Sequence, residues 1–589
     1  MLTSTKNKNQ VPASDRLPEK LSAASRRERV RTTTFGGLDM GKGQAWGITE
    51  MRNLSPRCAP SLATRPRREL LLSFPLVGKY HGMAVMSGCL YIACGSYLYC
   101  IPQVLSSLQQ LRVLTVGRLS DGDKCMTVFG DRLLILPDKV YVEEPGLELL
   151  PMELDTGSME GLTFYGDTIS LPPGKTWKTF GFFAGDSVYV SQTSGLVAEG
   201  YYRILKLSGS TATVSPAVSY SPYYTAGGYE EMLPEKIIAP ARLERHVPDL
   251  ESMAVVGDRV FGFRNKSIYI GGQGSPFSWW QLQRDSQGPV TLERCTSESF
   301  TACAARGDEM VFFTPSSMIR VTGGRSGNFT LSEIGVAGIP RELSHTLCEM
   351  EGNLYYHGTD GVYVYGNTAQ TPKSLGRVFD GAPTYGCAVA YEEGYYLALE
   401  NKPLGQEGVS GRYLYHPINK AWYEETDIRM IDGVRLGSYL CSLDEQGNLW
   451  LSRTDGRRLY PAADAEREEK ESPMHSFVSF VPDYSHHPDG CRPTNLYLRA
   501  TSDGSGELKV LMSFADGRCG LDAHVPADAK DGRDWENVRE VACITGNMQD
   551  RLLRIPLPPR RCDYVALALE MQGDWVIHEI TLEYETPRR

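Results

Sequence analysis

MAVVGDRVFGF, residues 253–263, decides the fold. An apolar run leads into Gly257 and Asp258, and a second apolar run follows, which is the pattern of two short strands joined by a tight turn. The same arrangement occurs as MAVMSGCLYIA around Gly88, MTVFGDRLLIL around Gly130 and CAARGDEMVFF around Gly307. It recurs as LCEMEGNLYYH at Gly352, VAYEEGYYLAL at Gly394 and CSLDEQGNLWL at Gly447. Apart from one long gap, consecutive glycines fall 42, 50, 45, 42 and 53 residues apart. Hairpins at intervals of about 40–50 residues have the period of β-propeller blades. Most are followed by another apolar stretch, such as SYLYCI, SIYIGG, SMIRVTG or GVYVYG, so each blade has at least three strands. The reading is an all-β chain with a seven-bladed propeller and those seven glycines at equivalent turns.

The gap between Gly130 and Gly257 is 127 residues, one blade plus an insertion. Residues 151–228 carry their own short strands (LTFYGDTISL, KTFGFFAGDSVYVSQ, GYYRILKLSG, STATVSPAV), which predict a small inserted β-barrel. The blades then occupy 76–150, for blades 1–2, and 229–462, for blades 3–7. Charged residues 463–471 read as a linker. Residues 472–589 contain NLYLRATS, ELKVLMSF, EVACIT, RLLRIPLP, YVALALEM and WVIHEITLEYE, whose alternation predicts a β-sandwich of jelly-roll type.

Residues 1–34 hold eight Lys/Arg against three Asp/Glu and few apolar side chains, and are expected to be a disordered basic arm. Within it, Arg26, Arg27, Arg29 and Arg31 are candidate contacts to an acidic neighbour. Residues 35–75 read as an extended segment. There Leu54, Pro60 and Leu62 alternate with Arg57, Arg65, Arg67 and Arg68. Such a strand could add to a propeller edge and close the ring, the favoured reading, or cross to a neighbouring subunit. Arg65, Arg67 and Arg68 are therefore further candidate assembly residues.

The 589 residues carry a net charge of −10, which argues against nucleic-acid binding as the main role, because phosphate affinity comes from Lys and Arg. An acidic surface suits a protein that touches DNA only in passing. No apolar run approaches a membrane span, and the first residues lack the apolar core of a secretory signal. The 14 cysteines are scattered singly without a C-x-x-C pair, the usage of buried reduced thiols rather than of a zinc site.

Motifs that could carry chemistry are weak. GGLDMGKG (Gly36–Gly43) matches G-x-x-x-x-G-K but lacks the following Ser or Thr, and its flanks are not a strand and a helix. SLDEQGNLW (Ser442–Trp450) approximates the Asp-box of sialidase propellers with one residue too many, and a turn at Gly447-Asn448 accounts for it. His486-His487 near Asp489 and Cys491 fit no standard ligand spacing. No catalytic residue, cofactor or metal is assigned, and the chain reads as non-enzymatic.

Several segments resemble a family of virion structural proteins of tailed phages and prophages of Gram-positive gut bacteria. They are Phe35-Gly36-Gly37-Leu38 followed by ITEMRNLSPRCAPSLATRPRRE (Ile48–Glu69), RHVPDLESMAVVGDRVFGF (Arg245–Phe263), SPFSWWQL and FFTPSSMIRVTGG with NFTLSEIGVAGIP. PPRRCDYVALALEMQGDWVIHEITLEYE resembles the family near its end. The opening pattern is F-x-G-L/N, then E/D-M-x-N-L, then P-x-L-x-x-R-x-x-R. In plan the chain is similar to the tail tubular, or nozzle, propellers of short-tailed phages. The resemblance implies a bacteriophage virion component of the tail or neck, made in the host cytoplasm, homo-oligomeric and assembled with other tail or neck proteins, with no membrane insertion. Two other readings stay open. One is a host-surface glycan-binding module, with Trp535 and Trp575 of the C-terminal domain stacking on sugars. The other is a propeller of glycoside hydrolase type.

Overall fold

The computed structural model describes residues 25–38, 47–73, 78–105, 111–144, 147–224, 230–281, 287–293, 295–323, 328–366, 369–379, 381–392, 394–401, 409–426, 428–453, 475–481, 492–515, 538–558 and 564–587. The GGLDMGKG loop beyond Leu38, the linker 463–471, the His486–Cys491 cluster, Trp535 and Arg560 to Asp563 lie outside them.

Seven four-stranded antiparallel sheets form the propeller. Blades 1 to 6 span Tyr80–Arg118, Cys125–Pro151, Ser252–Leu292, Ala302–Gly335, Cys348–Gly376 and Tyr385–Glu425. Blade 7 takes Met430–Leu436, Tyr439–Asp444 and Asn448–Ser452 from one end of the propeller sequence and Glu69–Ser73 from the other. The first strand of each blade lies against the first strand of the next, from Tyr80–Met86 round to Met430–Leu436 and back to Tyr80–Met86. The ring is thus closed by N-terminal residues, through the ELLLS strand and not through the Arg-rich stretch before it, where closure was expected. Leu449 pairs with Leu72, and Leu71 is buried with Leu90, Ile92, Leu443 and Leu451 between blades 7 and 1. Burial of each such side chain stabilises by about 1.5–3 kcal/mol, so the seam is sealed by the same apolar packing as any other pair of blades.

Gly88, Gly130, Gly257, Gly307 and Gly352 sit in the first hairpin turn of their blades, and Gly394 opens the strand after it. At Gly352 (φ +77), preceded by Glu351 (φ +52), two successive positive φ angles produce the turn that matches strand twist. Gly447 departs from this series. It lies in the second hairpin of blade 7, and the equivalent turn is Gly437-Ser438. The motif misleads because both hairpins of this blade pair apolar strands through a glycine turn.

The insertion is a closed six-stranded barrel running from Leu154 to Arg245, longer than the 151–228 read from the sequence. Its last strand, Lys236–Arg245, pairs with both Leu154–Tyr165 and Ser187–Ser191. Without that strand the barrel would have two open edges. Leu162, Phe164, Ile169, Trp177, Val188, Ile204 and Leu243 fill its interior.

The C-terminal strands belong to a nine-stranded sheet that also takes four pieces from the N-terminus. Ser25–Thr32 and Leu62–Thr64 both lie along Trp575–Pro587, and Gly47–Arg52 lies along His475–Val481. Residues 25–32 are therefore strand rather than part of a disordered arm. The reason is charge alternation: Arg27, Arg29 and Arg31 pair with Glu585, Glu583 and Glu579 at 3.3, 2.8 and 2.8 Å. The long strand Arg492–Ala515 pairs first with Trp575–Pro587 and then with Tyr564–Gln572, bending at register shifts between Ala500 and Glu507. In strand order, Gly47–Arg52 and Leu54–Ser55 are the two ends of this sheet, and only Asn53 separates them in the chain. The sheet is consequently curled until its ends meet at Asn53.

Candidate functional site

Asn53 is the hub of a joint between the propeller, the N-terminal segment and the C-terminal sheet. It is fully buried and left-handed (φ +57), a conformation that asparagine tolerates better than most residues. Its amide N–H donates to the Glu424 carbonyl of blade 6 (2.9 Å), and its Oδ1 accepts from the Thr426 N–H (2.9 Å) and Arg65 Nε (3.1 Å). Its Nδ2 donates to Thr426 Oγ1 (2.7 Å) and to the His475 carbonyl (2.9 Å). Its carbonyl accepts from Ser476 Oγ (2.9 Å) and from the Arg65 N–H. Every polar atom of a buried residue is thereby partnered across three segments distant in sequence.

Beside it, Arg68 donates to Glu425 Oε2 at 2.7 Å, and Arg412 lies 3.0 Å from the same oxygen. Burial by itself raises the Glu425 carboxyl, but Arg412, Arg68 and Arg65 outweigh it and hold the group at about 2. Its neighbour Glu424 goes the other way: burial lifts it to about 7, Arg52 opposing and Glu50 reinforcing the rise. A cleft of about 840 Å³ opens on one side of Glu425, among Phe35, Arg57, Arg65, Tyr396, His416 and Arg453. A smaller one of about 230 Å³ lies on the other, among Glu400, Ser410, Arg412 and Glu424.

The candidate residues from the opening motif thus divide. Arg65 and Arg68, with Leu54 and Leu62, are the buried keystones of the joint, whereas Arg67 is exposed. Phe35 packs on Phe480 with ring centroids 6.0 Å apart, and Leu38 donates its N–H to the Trp422 carbonyl. Gly37 passes so close to blade 6 that an added Cβ would lie 2.2 Å from the Trp422 oxygen. Arg27, Arg29 and Arg31 are spread along the strand 25–32 with their guanidinium groups on glutamates of the same chain, 71, 62 and 60% exposed. Arg26 is in that strand opposite Thr586.

A second joint fixes the barrel to blade 3. Arg245 and Asp186 form a fully buried pair at 2.7 Å. Arg245 also donates to the carbonyls of Met152 and Gly181 and lies 4.1 Å above the Phe277 ring. Asp186 accepts from Ser275 Oγ (2.7 Å) and from the Phe183 N–H (3.0 Å). Ser187 Oγ reaches Ser278 Oγ and the Trp280 carbonyl, at 2.9 and 2.6 Å. The SPFSWW segment is therefore the seat of the barrel.

The Asp-box-like turn is structural. Asp444 accepts from the N–H groups of Gln446 and Asn448 and from Trp450 Nε1 (2.8 Å). Trp575, read as a possible sugar platform, is fully buried. The 11 described cysteines are free thiols, and burial pushes Cys100 and Cys441 up to about 12, the behaviour of inert core residues. Among the described residues no three His, Cys, Asp or Glu side chains gather as a metal site, and no helix is long and apolar enough to cross a membrane. Asp186, Arg412 and Glu425 carry no motif of their own, whereas Asn53 is the asparagine of the E-M-x-N-L pattern. The R-x-x-R spacing marks two of their partners, Arg65 and Arg68.

No family model matches the chain, and no curated protein matches it. Solved propeller structures resemble it at low identity. A chain of a mitotic checkpoint complex aligns over 66% of this chain and 94% of its own at 8% identity, with a TM-score of 0.31. YjhT aligns over 71% and 97% at 7% identity and a TM-score of 0.27. Apo AztD from Citrobacter koseri aligns over 62% and 95% at 12% identity and a TM-score of 0.27. Similarity at this level carries no argument about what the chain does.

Proposed function

We propose that the chain is a non-enzymatic structural component of a phage virion, part of the tail or neck, acting through assembly with copies of itself and with other tail proteins. One observation carries the reading: the residues of the phage-type opening motif converge on one joint. Phe35, Asn53, Leu54, Leu62, Arg65 and Arg68 hold blade 6, the N-terminal segment and the C-terminal sheet together. The sequence resemblance therefore follows the architecture of a rigid multi-part body, which is what a particle component under mechanical load requires. In this reading the curled C-terminal sheet, with its long bent strand, is the jelly-roll-like sandwich of such proteins.

The test is quantitative mass spectrometry of gradient-purified particles from a host strain that carries the gene. A fixed, integral copy number per portal ring is the expected result. Absence of the chain from particles that carry the other tail proteins overturns the assignment.

A further inference from the structure

We infer that the outer wall of the barrel, where it meets blade 3, is a binding site for a neutral saccharide. Four aromatic rings gather there. Tyr189 and Tyr201 are directly opposed cross-strand neighbours with centroids 4.7 Å apart. Trp280 stacks on Tyr201 at 5.5 Å with 23° between planes. His246 lies 5.5 Å from Tyr189 and 6.4 Å from Trp280. All four rings are partly exposed, while the adjacent Trp279 is core. A cross-strand aromatic pair alone would be ordinary sheet packing. Here the aromatic surface continues onto a second element of the fold and carries a polar fringe.

That fringe is organised. Tyr201 Oη and His246 Nδ1 are 3.0 Å apart, and His246 Nε2 is 3.7 Å from Glu244. Glu244 is the cross-strand partner of both Tyr189 and Asp155. Arg242 bridges the two carboxylates, 3.3 Å from Glu244 and with Nε 2.9 Å from Asp155. The arginine and the paired carboxylates hold donors and acceptors in fixed positions next to the rings. Flat apolar faces beside fixed donors and acceptors match a pyranose, which presents C–H groups on its faces and hydroxyls at its edge. The charge selects against the other ring-stacking ligand. Arg242 is engaged by Asp155 and Glu244, and Arg203, two residues along the strand from Tyr201, by the Gln273 carbonyl and Gln287, so the cations beside the rings are already partnered, whereas single-stranded nucleic acid needs a positive groove.

The inference is independent of the virion reading, because it concerns the isolated chain. The experiment is saturation-transfer NMR on the full chain with N-acetylglucosamine, methyl α-galactoside and L-rhamnose, each in separate samples, and with a thymidine oligonucleotide as the nucleic-acid arm. Transfer to the ring protons of at least one sugar, and none to the oligonucleotide, is expected. Tyr189→Ala and Tyr201→Ala should each weaken that signal about fivefold, the size of one lost aromatic contact. Tyr189→Phe, which preserves the ring, should leave it unchanged, and all three variants should keep the wild-type melting temperature to within a few degrees. Absence of transfer to all three sugars, transfer that survives both alanine variants, or preferential binding of the oligonucleotide overturns the inference.

Discussion

The barrel and the C-terminal sheet are both locked onto the propeller by buried arginines, yet the two joints are built differently. At the barrel, Asp186 depends on one cation, Arg245, and both side chains are fully buried. At the sheet, Glu425 has Arg68 and Arg412 in contact and Arg65 near enough to help hold its carboxyl down. There the geometry is set by a neutral hub, Asn53. The first joint is a single pair whose loss leaves one naked charge. The second is a network in which one loss is shared. A buried pair earns little net stability, but removing one partner strands the other in a low-dielectric site.

Arg245→Met should therefore be the most damaging single change. It leaves Asp186 charged, buried and without its cation, and should cost about 3–5 kcal/mol in urea denaturation followed by tryptophan fluorescence. An effect under about 1 kcal/mol would mean that water or a rearranged side chain reaches Asp186, and the contrast between the joints would fail. Asn53→Ala should come next, at about 2–4 kcal/mol, because it removes at once the acceptor of the Thr426 N–H and Arg65 Nε and the donor to the His475 carbonyl. Arg68→Met should cost about 2 kcal/mol, less than Arg245→Met, since Arg412 still faces Glu425. If Arg68→Met equals or exceeds Arg245→Met, the idea of a shared load at the sheet joint is wrong.

Acid distinguishes the carboxylates inside the sheet joint. Glu425 is depressed to about 2, so its contribution is complete above the ordinary glutamate pKa of about 4.3 and disappears as the pH falls from there towards 2. Protection factors of the Asn53 and Thr426 amides, corrected for the pH dependence of intrinsic exchange, should fall over that interval; unchanged protection at low pH would contradict the assignment. Glu424 is raised to about 7, which has the opposite sign: its protonated form is favoured by folding, and stability is lost as the pH rises from about 4.3 through 7. Glu424→Gln should thus stabilise by about 1 kcal/mol near pH 8 and have no effect near pH 4, and equal effects at both would refute the shift. The smallest effect belongs to the blade turns. Gly257→Ala, at φ +61 with open space around it, should cost about 1 kcal/mol, the strain of a left-handed alanine.

The repeating hairpins were legible in the sequence because a two-residue alternation and a glycine turn are local properties, and seven copies reinforce one another. From them come the all-β class, the propeller and the presence of an insertion. Boundaries were decided elsewhere. Lys236–Arg245 belongs to the barrel because two open edges required a strand, and Gly447 is not a blade-start turn because two hairpins of one blade look alike locally. Arg27, Arg29 and Arg31 read as a solvated arm until the glutamates 548–558 residues further on stand opposite them. The R-x-x-R spacing sets Arg65 and Arg68 apart from Arg67, but that two are buried and one is exposed depends on where Asn53 and Glu425 lie. Pattern and turn chemistry act over a few residues and can be read from the chain. Charge pairing and the meeting of sheet edges act across hundreds of residues, so only the tertiary structure determines them.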